Sequence, residues 1–547
     1  MEYIRKNYLN IITYSLVGIM GYFLGKVITD NPGMSVSRWI FGLAPVFVVG
    51  AAIAIVKANA HAGFDLSTFL SFPRLNAGGG ALLLIAVLAA AIGLSVTFNP
   101  FDSIMPIFIG IIISLFLTSV YMVMNNKPID AIGLLLISFP FITYAEFIVS
   151  STFGISSELI TVKTAVILIF TAIWFICNHL IYRNNIVKTK FDALILLFII
   201  LTFLSAIFSA NIGYSLGRWL FEIIYPLSFY FFVINSVRHE KHIEKFMYYL
   251  MAGVFLSLAL VLYYFAKYGG GNTLLDRYML NLNFADGVLI ANMLIMVMPV
   301  AVAFLVTTQS KGMKALLYMM LILGIAGLVL SFARMAQAST VIGLLAFGLN
   351  KKTRKYALLT IAVGAFVFVF DSEKLNPYLS KYGSMTSLED VVHATSMEKR
   401  YGGWRAALGM VKDHPFTGVG VGRFNQEYAN YGVLYYSEWA SGYVPMISAH
   451  NLYLNYLAET GIPGFALLLT IFLTILIRGF HLIKNAGSNY VFKFSILISV
   501  FVFMANSLVD GITFAYVKEI DKGMVFWSMT AIIMSYGIIE KKDSVRG

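Results

Sequence analysis

Long apolar runs recur along almost the whole chain, each about 20 residues in length, as a helix needs to cross a bilayer. They begin near residues 10, 38, 79, 102, 129, 161, 191, 219, 243, 286, 313, 335, 355, 461, 491 and 524. The pattern predicts an all-α polytopic membrane protein with about 16 transmembrane helices. A membrane β-barrel would show short alternating segments instead. One long polar stretch breaks the series, from Asp371 to His450. Inside it the helical period returns. Trp404, Ala407, Leu408 and Val411 form an i, i+3, i+4, i+7 stripe, which predicts a short helix over Gly402 to Lys412. Arg405 and Lys412 share another face of it, and Asp413-His414-Pro415 ends it. A second helix is expected to begin near Ser448, with Asn451, Asn455 and Glu459 as one polar face.

Composition agrees with the pattern. Of 547 residues, 59% are hydrophobic and 12% charged, and the mean hydropathy is +0.81. A soluble domain carries about 25% charged residues. The net charge of +12 does not call for nucleic acid, because it is distributed as the positive-inside rule distributes it. One set of short loops holds Arg5 and Lys6; Lys57 and Arg74; Lys127; Arg183, Lys188 and Lys190; Arg238, Lys241 and Lys245; Lys311 and Lys314; Lys351, Lys352, Arg354 and Lys355; Arg478, Lys484 and Lys493; Lys541, Lys542 and Arg546. The opposite set holds far fewer. Both termini are therefore expected in the cytoplasm and the 371–450 loop outside, where no nucleoside triphosphate is at hand. The apolar run at 10–29 is too long for a signal-peptide core and reads as the first span. The single cysteine, Cys177, excludes a disulfide framework and a cysteine metal site.

The expected organisation has four parts: N-terminal helices over 1–185, an added module; the first part of a transmembrane core over 186–370; an external catalytic loop over 371–460; and C-terminal helices over 461–547.

One part of the external loop collects charge of one sign. Between Lys399 and Arg423 stand Lys399, Arg400, Arg405, Lys412 and Arg423 against Asp413. Arg405 presents a guanidinium suited to a bidentate phosphate contact, or a solvated helix face. Arg334, between two apolar runs on the external side, is either an interfacial anchor or an anion contact. The Gly418-Val419-Gly420-Val421-Gly422 turn reads as a tight turn or an anion-binding nest. It lacks the spacing and the strand-to-helix setting of a dinucleotide site. His450 closes the loop. A neutral imidazole there, with an ordinary pKa near 6.5, can take a proton from a sugar hydroxyl, and a helix N-terminus disfavours its cation. Arg218, Arg400, Arg423, Asn451 and Glu459 are further candidates for substrate contact. His239-Glu240-Lys241-His242 lacks metal-site spacing and reads as solvated loop. No metal and no cofactor are expected.

Three stretches in order resemble a known family. They are Ser331-x-Ala333-Arg334; Gly403-Trp404-Arg405 with His414-Pro415-Phe416-Thr417-Gly418-Val419-Gly420; and His450-Asn451-x-Tyr453-Leu454 leading to Ala458-Glu459-Thr460-Gly461. Together they resemble the O-antigen ligase and O-antigen polymerase family of bacterial membrane glycosyltransferases, over roughly residues 190–540. The resemblance implies a GT-C-like fold and an inverting, metal-independent glycosyl transfer in the bacterial inner membrane. It implies a glycan donor on undecaprenyl pyrophosphate, with a glycan or lipid-linked acceptor and membrane lipids as the other partners. Carried onto matching positions, Arg334 and Arg405 bind the donor pyrophosphate, and His450 is the general base. Two departures stand out. The chain has extra N-terminal spans, and it has Ala333-Arg334-Met335 where the family more often has Ser-Arg-Gly.

The motifs do not separate ligase from polymerase. The competing reading is a lipid-linked oligosaccharide flippase, which should carry mid-span charges and repeated halves. Lys26 and Glu146 are the mid-span cases here, and no repeat is visible. A loop that only senses a ligand is the third reading.

Overall fold

A computed structural model describes residues 105–153, 162–268, 287–331, 333–348, 354, 358, 395–437, 442–484, 489–508 and 520–546. The expected spans near 10, 38 and 79, most of the one near 355, and residues 371–394 of the loop lie outside the described residues, as does Lys26.

The chain divides into two compact units. In the first, α1 (Met105–Met124), α2 (Pro128–Phe153) and α3 (Val162–Phe175) pack on one another, and a π-helical turn, Ile176–Ile181, extends α3. Tyr248–Gly253 belongs to this unit. Its Tyr249 hydroxyl donates to Asp130 at 2.8 Å, and the absence of side chains at Gly133 and Gly253 admits Tyr249 and the Leu136 backbone.

The second unit holds the remaining described helices. They are α4 (Lys190–Ile207), α5 (Ile212–Trp219) continued by a π-turn (Leu220–Ile224), α6 (Tyr225–Ser236), most of α7 (Glu240–Tyr268), α8 (Gly287–Thr307), α9 (Lys311–Leu330) and α10 (Arg334–Gly348). Then follow α11 (Thr395–Asp413), α12 (Phe424–Tyr431), a hairpin of β1 (Tyr435–Ser437) and β2 (Gly442–Val444), α13 (Leu452–Lys484), α14 (Tyr490–Asn506) and α15 (Ile520–Arg546). The hairpin is antiparallel, with Tyr436 opposite Tyr443. Thr189 and Asp192 form a capping box that starts α4. α8 lies against α9, α10 and α14; α15 against α6; and α13 against α4, α11, α14 and α15.

Among the described residues, six helices are long and apolar enough to cross a membrane: Lys190–Ile207, Ile212–Ser236, Ile290–Thr307, Lys311–Leu328, Leu452–Lys484 and Lys522–Ile539. Shorter apolar helices accompany them. With no hydrophobic drive between helices inside lipid, packing and polar contacts must join them. Phe503 stacks on Phe526 at 4.7 Å. Asn506 donates to Asn292 at 2.5 Å and accepts from Ser339 at 3.3 Å, which ties α8, α10 and α14 through three buried polar side chains.

α13 is interrupted at Gly461, whose φ is 69° and ψ −177°. In an unbroken helix the Ala458 carbonyl would take the Ile462 N–H, and the Glu459 carbonyl would face Pro463, which has none. The turn 415–420 fills the gap. Val419 N–H donates to Ala458 at 3.0 Å, Gly420 N–H to Glu459 at 3.1 Å, and Ile462 N–H donates back to the Pro415 carbonyl at 2.8 Å. Ser205 of α4 gives the Glu459 carbonyl a second donor at 2.7 Å. Gly418 sits at φ 65°, and a Cβ added there would collide with the Glu459 carbonyl group. A Cβ at Gly461 would lie 2.6 Å from the Phe416 carbonyl carbon.

Gly418→Ala and Gly461→Ala are each expected to destabilise by about 2 kcal/mol or more, combining a left-handed φ with backbone overlap. Thermal unfolding in detergent should show midpoints several degrees lower. Gly312→Ala, which meets open space at the start of α9, should leave the midpoint unchanged or raise it slightly. Equal midpoints for all three would contradict the interlock.

Candidate active site

The described residues of the 395–451 segment, 395–437 and 442–451, form a polar cap that lies between α10 and α13 in the chain. Its first helix is longer than the sequence stripe suggests, Thr395–Asp413 rather than 402–412, and it ends before His414-Pro415 as expected. The buried face also differs. Ala406, Ala407 and Met410 enter a core with Val419, Phe424, Tyr428, Met446, Ala449 and Ala458, whereas Leu408 is 55% exposed. The reason is that Gly403 has no side chain where this face meets the Ala449 backbone: a Cβ added there would stand only 3.3 Å from the Ala449 Cα. Trp404 and Val411 flank the core. Arg405 is exposed, with its guanidinium 5.9 Å from the Tyr401 ring centre. Lys412 is exposed as well, so both cations face solvent.

The second cap helix begins at Leu452, not near Ser448. Asn451 is the reason: its side-chain oxygen accepts the Leu454 N–H at 3.0 Å, as a capping residue does. His450 therefore lies one residue outside the cap, half-buried, with φ 49°. A non-glycine residue in this region costs about 1–3 kcal/mol and persists only where its surroundings impose it. The impositions are visible. His450 N–H donates to the Ser448 hydroxyl at 3.2 Å, and Ala449 N–H to the Asn455 side chain at 3.2 Å. Leu452 N–H donates to the Ser507 carbonyl at the end of α14, 2.9 Å away. Arg334 is the first residue of α10. That helix reaches the same end of α14 through Ser339 and Asn506.

The remaining candidates are engaged within the chain. Arg218 is buried on α5 and pairs with Glu222 one turn later. Arg423 is buried and pairs with Glu427, while its Nε and one terminal nitrogen lack a hydrogen-bond partner. Arg400 is half-buried on α11. Glu459 is 4% exposed. Its carboxyl group accepts the Phe424 N–H at 3.2 Å. The polar face of Asn451, Asn455 and Glu459 thus turns inward.

The glycine turn packs on its own chain. Gly420 and Gly422, at φ 106° and 73°, have Ser209 and Arg218 where side chains would otherwise stand, and Ser215 donates to the Val421 carbonyl at 2.8 Å. Sequence reasoning missed Ser205, Ser209, Ser215 and Glu222. The i, i+4 spacing of Arg218 and Glu222 was the available signal. His239–His242 is not loop throughout either, because Glu240 opens α7 and accepts from Asn489 at 2.7 Å.

Residues 319–469 match the family model described as O-antigen ligase. The match runs from within α9 to within α13 and includes Arg334, Arg405 and His450. It bears out the resemblance read from the motifs: residues 319–469 are similar to the O-antigen ligase family, within a helical, multi-pass membrane protein. No curated protein matches the chain.

The left-handed backbone at His450 makes a stability prediction independent of function. His450→Gly should unfold at the same temperature as wild type or up to a few degrees higher. His450→Val, branched at Cβ, should unfold several degrees lower. The reverse order would show that His450 is not held at positive φ.

Proposed function

We propose that the protein is a GT-C-like membrane glycosyltransferase that moves a glycan from undecaprenyl pyrophosphate to an acceptor hydroxyl. The O-antigen ligase match over residues 319–469 carries this reading, and the exposed Arg405 and the constrained His450 give it a chemistry. In the proposed step the acceptor oxygen attacks the anomeric carbon. Its proton passes to the His450 imidazole. The bond from that carbon to the pyrophosphate oxygen breaks, and undecaprenyl pyrophosphate leaves with the electron pair. Attack opposite the leaving group inverts the anomeric centre. Arg334 and Arg405 hold the pyrophosphate and stabilise the charge that grows on it. A pyrophosphate is already a good leaving group, so no metal is needed in this scheme. We place the reaction on the external face of the bacterial inner membrane, with both termini in the cytoplasm. Residues 371–460 serve as the catalytic loop, 186–370 and 461–547 as its transmembrane frame, and 1–185 as an added module. Arg400 and Asn451 are further candidates for substrate contact.

Purified protein with a lipid-pyrophosphate glycan and a hydroxyl acceptor should form product in buffer containing a chelator. His450→Ala should lower the rate by about 10²–10⁴-fold, the range for loss of a general base. Arg405→Lys should also fail, because an ammonium cannot reproduce a bidentate fork. The wild-type rate should fall as pH drops and the imidazole takes up a proton. Near-normal transfer by His450→Ala would remove its role. Loss on chelation with rescue by a divalent ion would overturn the metal-free scheme.

Topology has its own check. Val433 is 87% exposed in the cap and the native Cys177 is buried. Val433→Cys should react with a membrane-impermeant thiol reagent in intact cells. Labelling only after lysis would reverse the orientation.

A further inference from the structure

We propose that Asn455 and Glu459 are positioning residues that set His450 for proton transfer, an inference that rests on the glycosyl-transfer reading above. Asn455 lies on α13 one turn after the capping Asn451 and is 2% exposed. Its side-chain oxygen is committed to the Ala449 N–H at 3.2 Å. That leaves its NH₂ to donate toward the Glu459 carboxyl group, which stands one helical turn further along α13. Glu459 also takes the Phe424 N–H at 3.2 Å. Two side chains one helical turn apart on α13 thus reach two other segments: Glu459 takes the N–H at the start of α12, and Asn455 takes the peptide N–H immediately before His450. On the far side, Leu452 N–H is pinned to the Ser507 carbonyl at 2.9 Å. These bonds are made by the backbone and by neighbours, not by the imidazole.

The chemistry of the chain is specific. An amide can accept with one end and donate with the other, so it can link an N–H to a carboxylate. A carboxylate at 455 could still accept from Ala449 but would face Glu459 with like charge. Without the link, residues 449–450 are free to relax toward negative φ, which swings the imidazole away from the hydroxyl it must serve. A displacement of about 1 Å can cost about 10²-fold in rate. Donor affinity should hardly change, because the arginines assigned to the donor stand on other helices.

The test compares the full-length wild-type protein with Asn455→Ala, Asn455→Asp and the double variant Asn455→Asp/Glu459→Gln, all with a lipid-pyrophosphate glycan donor. Both single variants should lose about 10–100-fold in kcat with donor KM within about twofold. The double variant exchanges the amide and the carboxylate, so it should recover most of the kcat lost by Asn455→Asp. Wild-type kcat in folded Asn455→Ala overturns the proposal. So does a double variant no better than Asn455→Asp at an unchanged unfolding temperature. A further readout needs no donor: the rate at which diethyl pyrocarbonate modifies His450, read by mass spectrometry. That rate should change in Asn455→Ala, and an unchanged rate counts against positioning. Absence of transfer by the wild-type chain would instead contradict the glycosyl-transfer reading, and the modification rate would still decide the positioning claim.

Discussion

The exchange of backbone hydrogen bonds between the broken α13 and the glycine turn is the constraint on which the site depends. A helix interrupted by Gly461 and Pro463 has carbonyls with no partner of its own. Within a buried region each such group would cost about 1–3 kcal/mol. The turn supplies Val419 and Gly420 as donors and takes the Ile462 N–H in return. Because the turn directly follows α11 and directly precedes α12, this exchange fixes both cap helices against the start of α13. Gly418 and Gly461 make the approach possible, since a side chain at either would overlap the other segment.

From that junction outward, buried polar groups carry position rather than solubility. The Glu459 carboxyl group takes the Phe424 N–H at the start of α12, and Asn455, one turn earlier on α13, takes the N–H of the peptide ahead of His450. Deeper among the helices, Ser339, Asn506 and Asn292 link α10, which Arg334 opens, to the end of α14 that also holds Leu452. In lipid, where apolar side chains give helices little reason to prefer one another, such contacts give register. Among the described residues of the cap, His450 is the non-glycine residue at positive φ, and it is set from several directions.

Much of this was legible in the sequence, and the reasons for the rest are physical. Apolar runs announce helices because the backbone must satisfy itself in lipid, and Asp413-His414-Pro415 marked the end of α11 correctly. The family could be read from His450-Asn451 through Gly461, which the match over 319–469 covers. The start of α13 was misplaced because Ser448 and Asn451 are both good capping residues, and only the bond to Leu454 distinguishes them. The buried stripe of α11 was misread because Leu408 outweighs Gly403 on any hydrophobicity scale, yet close approach at Gly403 decides the face. The partners of the glycine turn, Ser209, Ser215 and Arg218, lie some 200 residues away in the chain, as the Ser215 contact illustrates. No local pattern carries that information.

The glycosyl-transfer account assigns one place to the donor, and a structure of the protein with a lipid-pyrophosphate glycan bound, in a detergent or lipid particle, tests it most directly. The account predicts the two phosphates within hydrogen-bonding reach of the Arg334 and Arg405 guanidinium groups, with the His450 ring facing the side of the anomeric carbon opposite the pyrophosphate oxygen. Donor phosphates bound away from both arginines, or an imidazole turned from the sugar, would contradict it.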